Sequence, residues 1–346
     1  MMTETPFEAP RTALDVDRLT HYLQRHLPGF CGPLQATKFS GGQSNPTFLL
    51  ESPGGRYVLR RQPPGPLLKS AHAVDREFRV LSALGMTAVP VARALHLCED
   101  RDVIGSMFYL MSYEEGRIFW NPALPELDRG VRRDYYESII ATLAALHGVD
   151  VDAVGLGHYG RRDNYFRRQI ERWTQQYRAA ETATIAPMEA LIAWLPAHCP
   201  ADTQRHSLVH GDFRIDNLIF ASDAPRVQAV LDWELSTLGD PMADLAYFCM
   251  CLRLPSTGNV MGLRNQDRSI LGVPDEPEML ARYCELRDLP EIANWNFYLA
   301  FSFFRLASIA QGVKARALQG NASNRNAHEV GGMVELLATL AMELVA

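Results

Sequence analysis

Residues 209–220 read VHGDFRIDNLIF and residues 230–234 read VLDWE, which places Asp232 15 positions beyond Asn217. Apolar, β-type residues flank a polar loop carrying His210, Gly211, Asp212, Arg214, Asp216 and Asn217, and a second short apolar run ends on Asp232. Asp212 and Asn217 stand five apart. Loops in which an aspartate takes the proton of an attacking hydroxyl and an asparagine holds a metal ion use that separation. Either residue alone is an ordinary turn former. His210, Asp212, Asn217 and Asp232 in this order, between short strands, favour chemistry over punctuation.

A chain of 346 residues exceeds the size at which one hydrophobic core usually stops growing, which predicts two packed lobes. Apolar residues at 47% and charged residues at 21% belong to a folded globular enzyme rather than a disordered chain. The net charge of −6 supplies no global positive field, so neither nucleic acid nor a membrane surface is an expected partner. The opening MMTETPFEAPRTALD has no basic segment followed by an apolar one, and IANWNFYLAFSFF (292–304) is too short to span a bilayer before Arg305 ends it. Cys31, Cys98, Cys199, Cys249, Cys251 and Cys284 are scattered, and the closest two are not spaced as a metal-binding C-x-x-C pair. Free thiols in a reducing cytoplasm are the expectation.

Working outward from the loop, the chain changes character near Arg117. VDRLTHYLQRHL (16–27) has helical apolar spacing; LQATKFS, PTFLLES and RYVLRRQ then read as strands of an antiparallel sheet joined by Gly-rich turns. AHAVDREFRVLSALG (71–85) predicts a helix with Val74, Phe78, Leu81 and Leu84 on one face, and SMFYLMSYEEG (106–116) a strand leading out of this lobe. Beyond it, amphipathic segments over 131–147, 161–178, 187–195, 240–253, 276–287, 293–318 and 326–345 predict helices. The expected architecture is α+β: a small β-rich lobe over 1–112, then a large mainly helical lobe over 113–346 that carries the catalytic hairpins.

Phosphoryl transfer asks a protein to orient a hydroxyl, hold metal ions on the phosphates and supply donors around them. Asp212 suits the base. Asn217 and Asp232 are oxygen ligands of the kind Mg²⁺ takes. FSGGQSNPTFLL (39–50) offers a turn whose backbone N–H groups could cover phosphates, over Ser40, Gly41, Gly42, Ser44 and Asn45. A cation on the third strand should pair with a helix glutamate, and Arg60 with Glu77 fits. Strand alternation sends Arg60 and Arg61 to opposite sheet faces, so only one of the two lines the site.

With these motifs in view, SGGQSN, YVLRR, LMSYEEG, LAALH, HGDFRIDN and LDWELSTLGDPMADLAYF together resemble the aminoglycoside phosphotransferase and choline kinase superfamily. They look closest to its phosphotransferase-like domains found alone or fused ahead of acyl-CoA dehydrogenases. The resemblance runs from about Leu34 to Phe248. It implies a two-lobed kinase-like fold, ATP and Mg²⁺ as cofactors, Asp212 as catalytic base, Asn217 and Asp232 as metal ligands, Arg60 with Glu77 at the phosphates, and Met111 to Tyr113 beside the adenine. An aspartate placed like Asp244 supports the catalytic loop in that family, and His147 reads as a buried packing residue. Gly211 departs from the arginine of protein kinases, and no A-P-E segment follows LDWE.

The acceptor is read from RRDNYFRRQIERWTQQY (161–177). Cationic acceptors such as aminoglycosides or choline call for acidic and aromatic walls, whereas Arg168 and Arg172 lie four apart with Tyr165 one turn before them. Arginine clusters suit phosphates and carboxylates. The expected activity is therefore phosphorylation of a small-molecule hydroxyl, with an anionic or CoA-linked hydroxy acid ahead of an amino alcohol or aminoglycoside. A catalytically silent nucleotide-binding module is the reading from another class, and an acyl-CoA dehydrogenase is rejected because none of that enzyme's plan is visible.

Overall fold

The structure, a computed structural model, describes residues 14–39, 45–63, 72–202, 205–258, 260–319 and 327–345. Two compact units emerge: Met1–Met86 with Val91–Glu114, and Thr87–Pro90 with Glu115–Ala346. The division falls two residues after the expected one at 112, and Thr87–Pro90 joins the second unit.

The first unit is an antiparallel sheet with two helices. Strands β1 (Gln35–Lys38), β2 (Thr47–Ser52), β3 (Gly55–Arg61), β4 (Ala94–Cys98) and β5 (Phe108–Ser112) are ordered β1-β2-β3-β5-β4. Helix α1 (Val16–His26) starts where Asp15 accepts a hydrogen bond from the Arg18 amide at 3.0 Å. Its Leu19 and Leu23 share one core with Phe48, Leu50, Leu59, Phe108 and Leu110 of the sheet. Helix α2 (Val74–Leu84) packs on β4 and β5 and buries Val74, Val80, Leu81 and Leu84. Phe78, expected on that face, is only half-buried, and the fully buried place is taken by Glu77. A buried carboxylate on an apolar face needs a partner, and β3 provides it.

In the second unit the described residues form α3 (Arg129–His147), α4 (Tyr165–Ala180), α5 (Ala186–Ala197), α6 (Met242–Leu252), the short α7 (Arg268–Leu271), α8 (Glu276–Arg287), α9 (Trp295–Leu318), α10 (Ala327–Gly332), α11 (Val334–Glu343) and two small antiparallel strand pairs. Strand β6 (Ser207–Val209) pairs with β9 (Thr237–Gly239), and β7 (Leu218–Phe220) with β8 (Val227–Val230). The catalytic loop sequence thus connects β6 to β7, and Asp232 follows β8. Helix α9 is central, touching α4, α5, α6, α10 and α11. Its apolar length is explained by burial among helices, and no described helix is long and apolar enough to cross a membrane.

Two predicted helices differ in extent. The segment 161–178 becomes helical only at Tyr165, because Asn164 sits at φ 50° with its amide bonded to Asp202 at 2.7 Å. The single helix expected over 326–345 is two, broken after Gly332. Glycine weakens a helix, and a side chain at Gly331 would come within 2.7 Å of Lys314.

Candidate active site

The loop between β6 and β7 is held by its backbone before any side chain is aimed. Gly211 has φ +86°, and a Cβ there would stand 2.7 Å from the Leu235 carbonyl oxygen. That is the physical reason no arginine occupies the position. The amides of His210 and Gly211 donate to the two oxygens of Asp244, at 2.6 and 2.8 Å, from the first turn of α6. Behind it, His147 Nε2 lies 3.4 Å from Asp244, and Tyr283 Oη is 2.7 Å from His147 Nδ1. The Gly211 carbonyl accepts from Arg305 of α9, whose guanidinium lies between the rings of Trp173 and Tyr247. The loop is therefore gripped from α6 on its donor side and from α9 on its acceptor side.

Burial alone would raise the Asp244 carboxyl, but hydrogen bonding from His147 and the Gly211 amide outweighs it and holds the group below the usual carboxylate range. Asp244→Ala should destabilise the protein by on the order of 3 kcal/mol, because two buried N–H groups lose their acceptor, and denaturant unfolding measures this. A carboxyl with a depressed pKa stabilises fully above its unfolded value of about 3.9 and loses that contribution as pH falls through the folded one. The deficit of the variant should accordingly persist at neutral pH and shrink in strong acid.

His210 is a strut. Its Nδ1 accepts from the Asp212 amide at 3.1 Å, so Nε2 carries the proton and donates to the Leu231 carbonyl at 2.7 Å. One ring thus ties Asp212 to the residue preceding Asp232. The Leu231 amide also donates to the Asn217 carbonyl at 2.8 Å, which fixes the two proposed metal ligands beside each other. Asp232 has φ 62° and ψ 68°, a conformation costing on the order of 1–3 kcal/mol in non-glycine residues and tolerated best by Asp and Asn. Stored strain of this kind is common where a side chain must be aimed.

Asn217 donates through Nδ2 to both the backbone oxygen and Oδ2 of Asp212, at 2.8 and 3.0 Å. Its amide oxygen is thereby turned away from the base. The amide oxygen of Asn217 and the carboxylate of Asp232 are hard, oxygen-only donors, which fits Mg²⁺ with water and phosphate completing the shell. Arg214 reaches Asp212 Oδ2 with Nε at 3.8 Å and Asp216 Oδ2 with Nη2 at 2.7 Å. Neither Arg214 nor Arg305 has a role that a motif announces. Arg305 lies 94 residues from the carbonyl it caps, and nothing local announces it.

In the first unit, Arg60 Nε meets Glu77 Oε2 at 3.0 Å, with both side chains nearly dry. Arg61 points the other way, to the Ile104 carbonyl and over the Phe48 ring. Glu77 also accepts from Asn45 Nδ2 at 2.8 Å and from Tyr109 Oη at 3.1 Å. Asn45 is fully buried and its other end faces His72 at 2.9 Å, so its carboxamide anchors the loop's end to Glu77. Ser40, Gly41, Gly42 and Ser44 lie outside the described residues. Met111 pairs with Val58 and Ala94 at the end of β5, and the Arg56 guanidinium lies 4.5 Å from the Tyr113 ring centre.

On α4, Tyr165 is buried with its ring against Gly239, and burial pushes its hydroxyl up to about 12. Arg168 donates to the Arg161 carbonyl at 2.8 Å, while Arg172 is exposed with its guanidinium 5.5 Å from the Trp173 ring. All six cysteines are free thiols.

An antiparallel sheet with its arginine–glutamate pair, and a helical unit with Asp212, Asn217 and the αL Asp232 beside short antiparallel strand pairs, define a kinase-like two-lobed α+β protein. Residues 35–281 match the phosphotransferase enzyme family, and the chain belongs to that family. The mouse acyl-CoA dehydrogenase family member 10 is 48% identical over 333 residues, covering 96% of this chain and 31% of that protein. Human acyl-CoA dehydrogenase family member 11 is 40% identical over 340 residues, 97% of this chain and 44% of that protein. The chain thus spans less than half the length of these relatives. A crystal structure of a putative aminoglycoside phosphotransferase from Ralstonia eutropha superposes with TM-score 0.88 at 44% identity, covering 96% of this chain and 98% of that one. Spectinomycin phosphotransferase in complex with ADP and spectinomycin shares the fold at TM-score 0.61 and 12% identity, covering 99% of each chain.

Proposed function

We propose that the protein transfers the γ-phosphoryl group of ATP to the hydroxyl of an anionic or CoA-linked hydroxy acid in the cytoplasm. The observation that carries the phosphotransfer is Asp212, whose carboxylate is fixed by Asn217 on a loop locked by Asp244 and Arg305. The acceptor hydroxyl hydrogen-bonds to Asp212. As its oxygen bonds to phosphorus, its proton passes to the carboxylate, and the bond from phosphorus to the bridging oxygen breaks to release ADP. Asn217 and Asp232 would hold Mg²⁺, which when bound neutralises charge on the phosphates. Arg60, kept in place by Glu77, is the proposed phosphate cation, and Met111 to Tyr113 the adenine-side backbone.

For the acceptor, the arginines of α4 support an anion over a polycation, and the exposed Arg172 is available to one. The chain's likeness to acyl-CoA dehydrogenase family members supports an acid carried as its CoA thioester. ADP release measured over hydroxy acids, their CoA thioesters, amino alcohols and aminoglycosides tests the reading: turnover confined to the anionic compounds is expected, and turnover confined to the cations contradicts it. Arg168→Glu should raise KM for the anionic acceptor by about two decades with KM for ATP little changed, since a lost charged hydrogen bond and a new repulsion together cost a few kcal/mol, roughly 1.4 kcal/mol per decade.

A further inference from the structure

The loop bearing the base also forms one end of a cavity of about 90 Å³ in the second unit. Trp120, Phe248, Cys251 and Met261 line its apolar part, and Arg214 and Asp216 its polar end. Arg214, one of the lining residues, has its Nε 3.8 Å from the Asp212 carboxylate. A hydroxyl about to react stands roughly 2.6–3.2 Å from such a base, and the cavity is lined two to four residues further along the same loop, by Arg214, Ile215 and Asp216.

The walls decide what that portion is. Arg214 and Asp216 are paired at 2.7 Å and present little net charge. Phe248 is 1% exposed, and burial pushes the Cys251 thiol up to about 12, which keeps it a neutral, small apolar group. Trp120 is 67% exposed, a large aromatic left at the cavity's border with solvent. A polycation would gain nothing here. A volume of about 90 Å³ is several times the roughly 10–15 Å³ that one water needs on this measure, enough for a short alkyl segment.

We propose that this cavity is an alkyl subsite for the acceptor, and that Phe248, Cys251 and Met261 set the length of the aliphatic chain attached to the phosphorylated carbinol. The inference rests on the phosphotransferase reading above, and binding measured apart from turnover separates the two. The probes are 3-hydroxybutyrate, 3-hydroxyhexanoate and 3-hydroxyoctanoate, titrated calorimetrically into the full chain in the presence of ADP. Affinity should tighten by about fourfold per added methylene until the cavity is full. Filling the cavity by Met261→Trp, or independently by Cys251→Phe, should erase this dependence in whichever variant still unfolds cooperatively. Equal affinity for the three acids, or a chain-length dependence that survives both filled variants, overturns the subsite. ATP turnover with the same acids and their CoA thioesters is read separately: turnover without chain-length dependence in binding sinks the subsite alone, whereas length-dependent binding with no turnover of either form sinks the phosphotransfer reading and leaves an alkyl-binding site beside the loop.

Discussion

Asp212→Asn is expected to lower turnover by on the order of 10²–10⁴-fold while leaving nucleotide affinity within a few-fold of wild type. A positioned base contributes about that factor, and an amide cannot take the acceptor's proton. The substitution is nearly isosteric, so Asn217 and Arg214 lose a charge but keep a neighbour of the same shape. The loop should hold, because its anchors are the Gly211 backbone, Asp244 and Arg305 rather than the base. Steady-state ADP release and nucleotide titration on the same preparation check both halves. Near-full turnover in the variant would remove Asp212 from the role of base.

The second large effect is expected at Asp232. Asp232→Asn keeps a residue that tolerates the left-handed backbone seen at φ 62° while removing the charge that would hold Mg²⁺. Metal-dependent ATP affinity should fall by more than the roughly 10–100-fold that loss of an outer-shell partner costs, with the melting temperature little changed. Calorimetry with and without Mg²⁺ decides it: the same gain in ATP affinity from Mg²⁺ in variant and wild type would refute the assignment.

What could be read from sequence, and what could not, follows the distance over which each feature is encoded. The catalytic loop was legible because Asp212 to Asn217 is a local spacing and its flanking strands are local apolar runs. Strand alternation separated Arg60 from Arg61 before any coordinates, and the structure turns the two side chains to Glu77 and to Ile104 respectively. On α2, Phe78 does pack on Tyr109 of β5, while hydrophobicity alone cannot signal that Glu77 is buried against an arginine from β3. Arg305 and Tyr283 are invisible for the same reason: they act on partners 94 and 136 residues away, through contacts that only the packing of α9 on α6 and of α8 on α3 creates. The break at Gly332 is present in the sequence as a glycine pair, masked by the apolar periodicity on either side.

The central claim is that a phosphoryl group passes from ATP to a small-molecule hydroxyl under the control of Asp212. Phosphorus-31 NMR of the protein with Mg²⁺, ATP and a hydroxy acid or its CoA thioester tests it most directly. The account predicts a new phosphate-monoester resonance growing in step with ADP, lost in Asp212→Asn; ADP formation accompanied only by inorganic phosphate, across the anionic acceptors and equally in the variant, would contradict it.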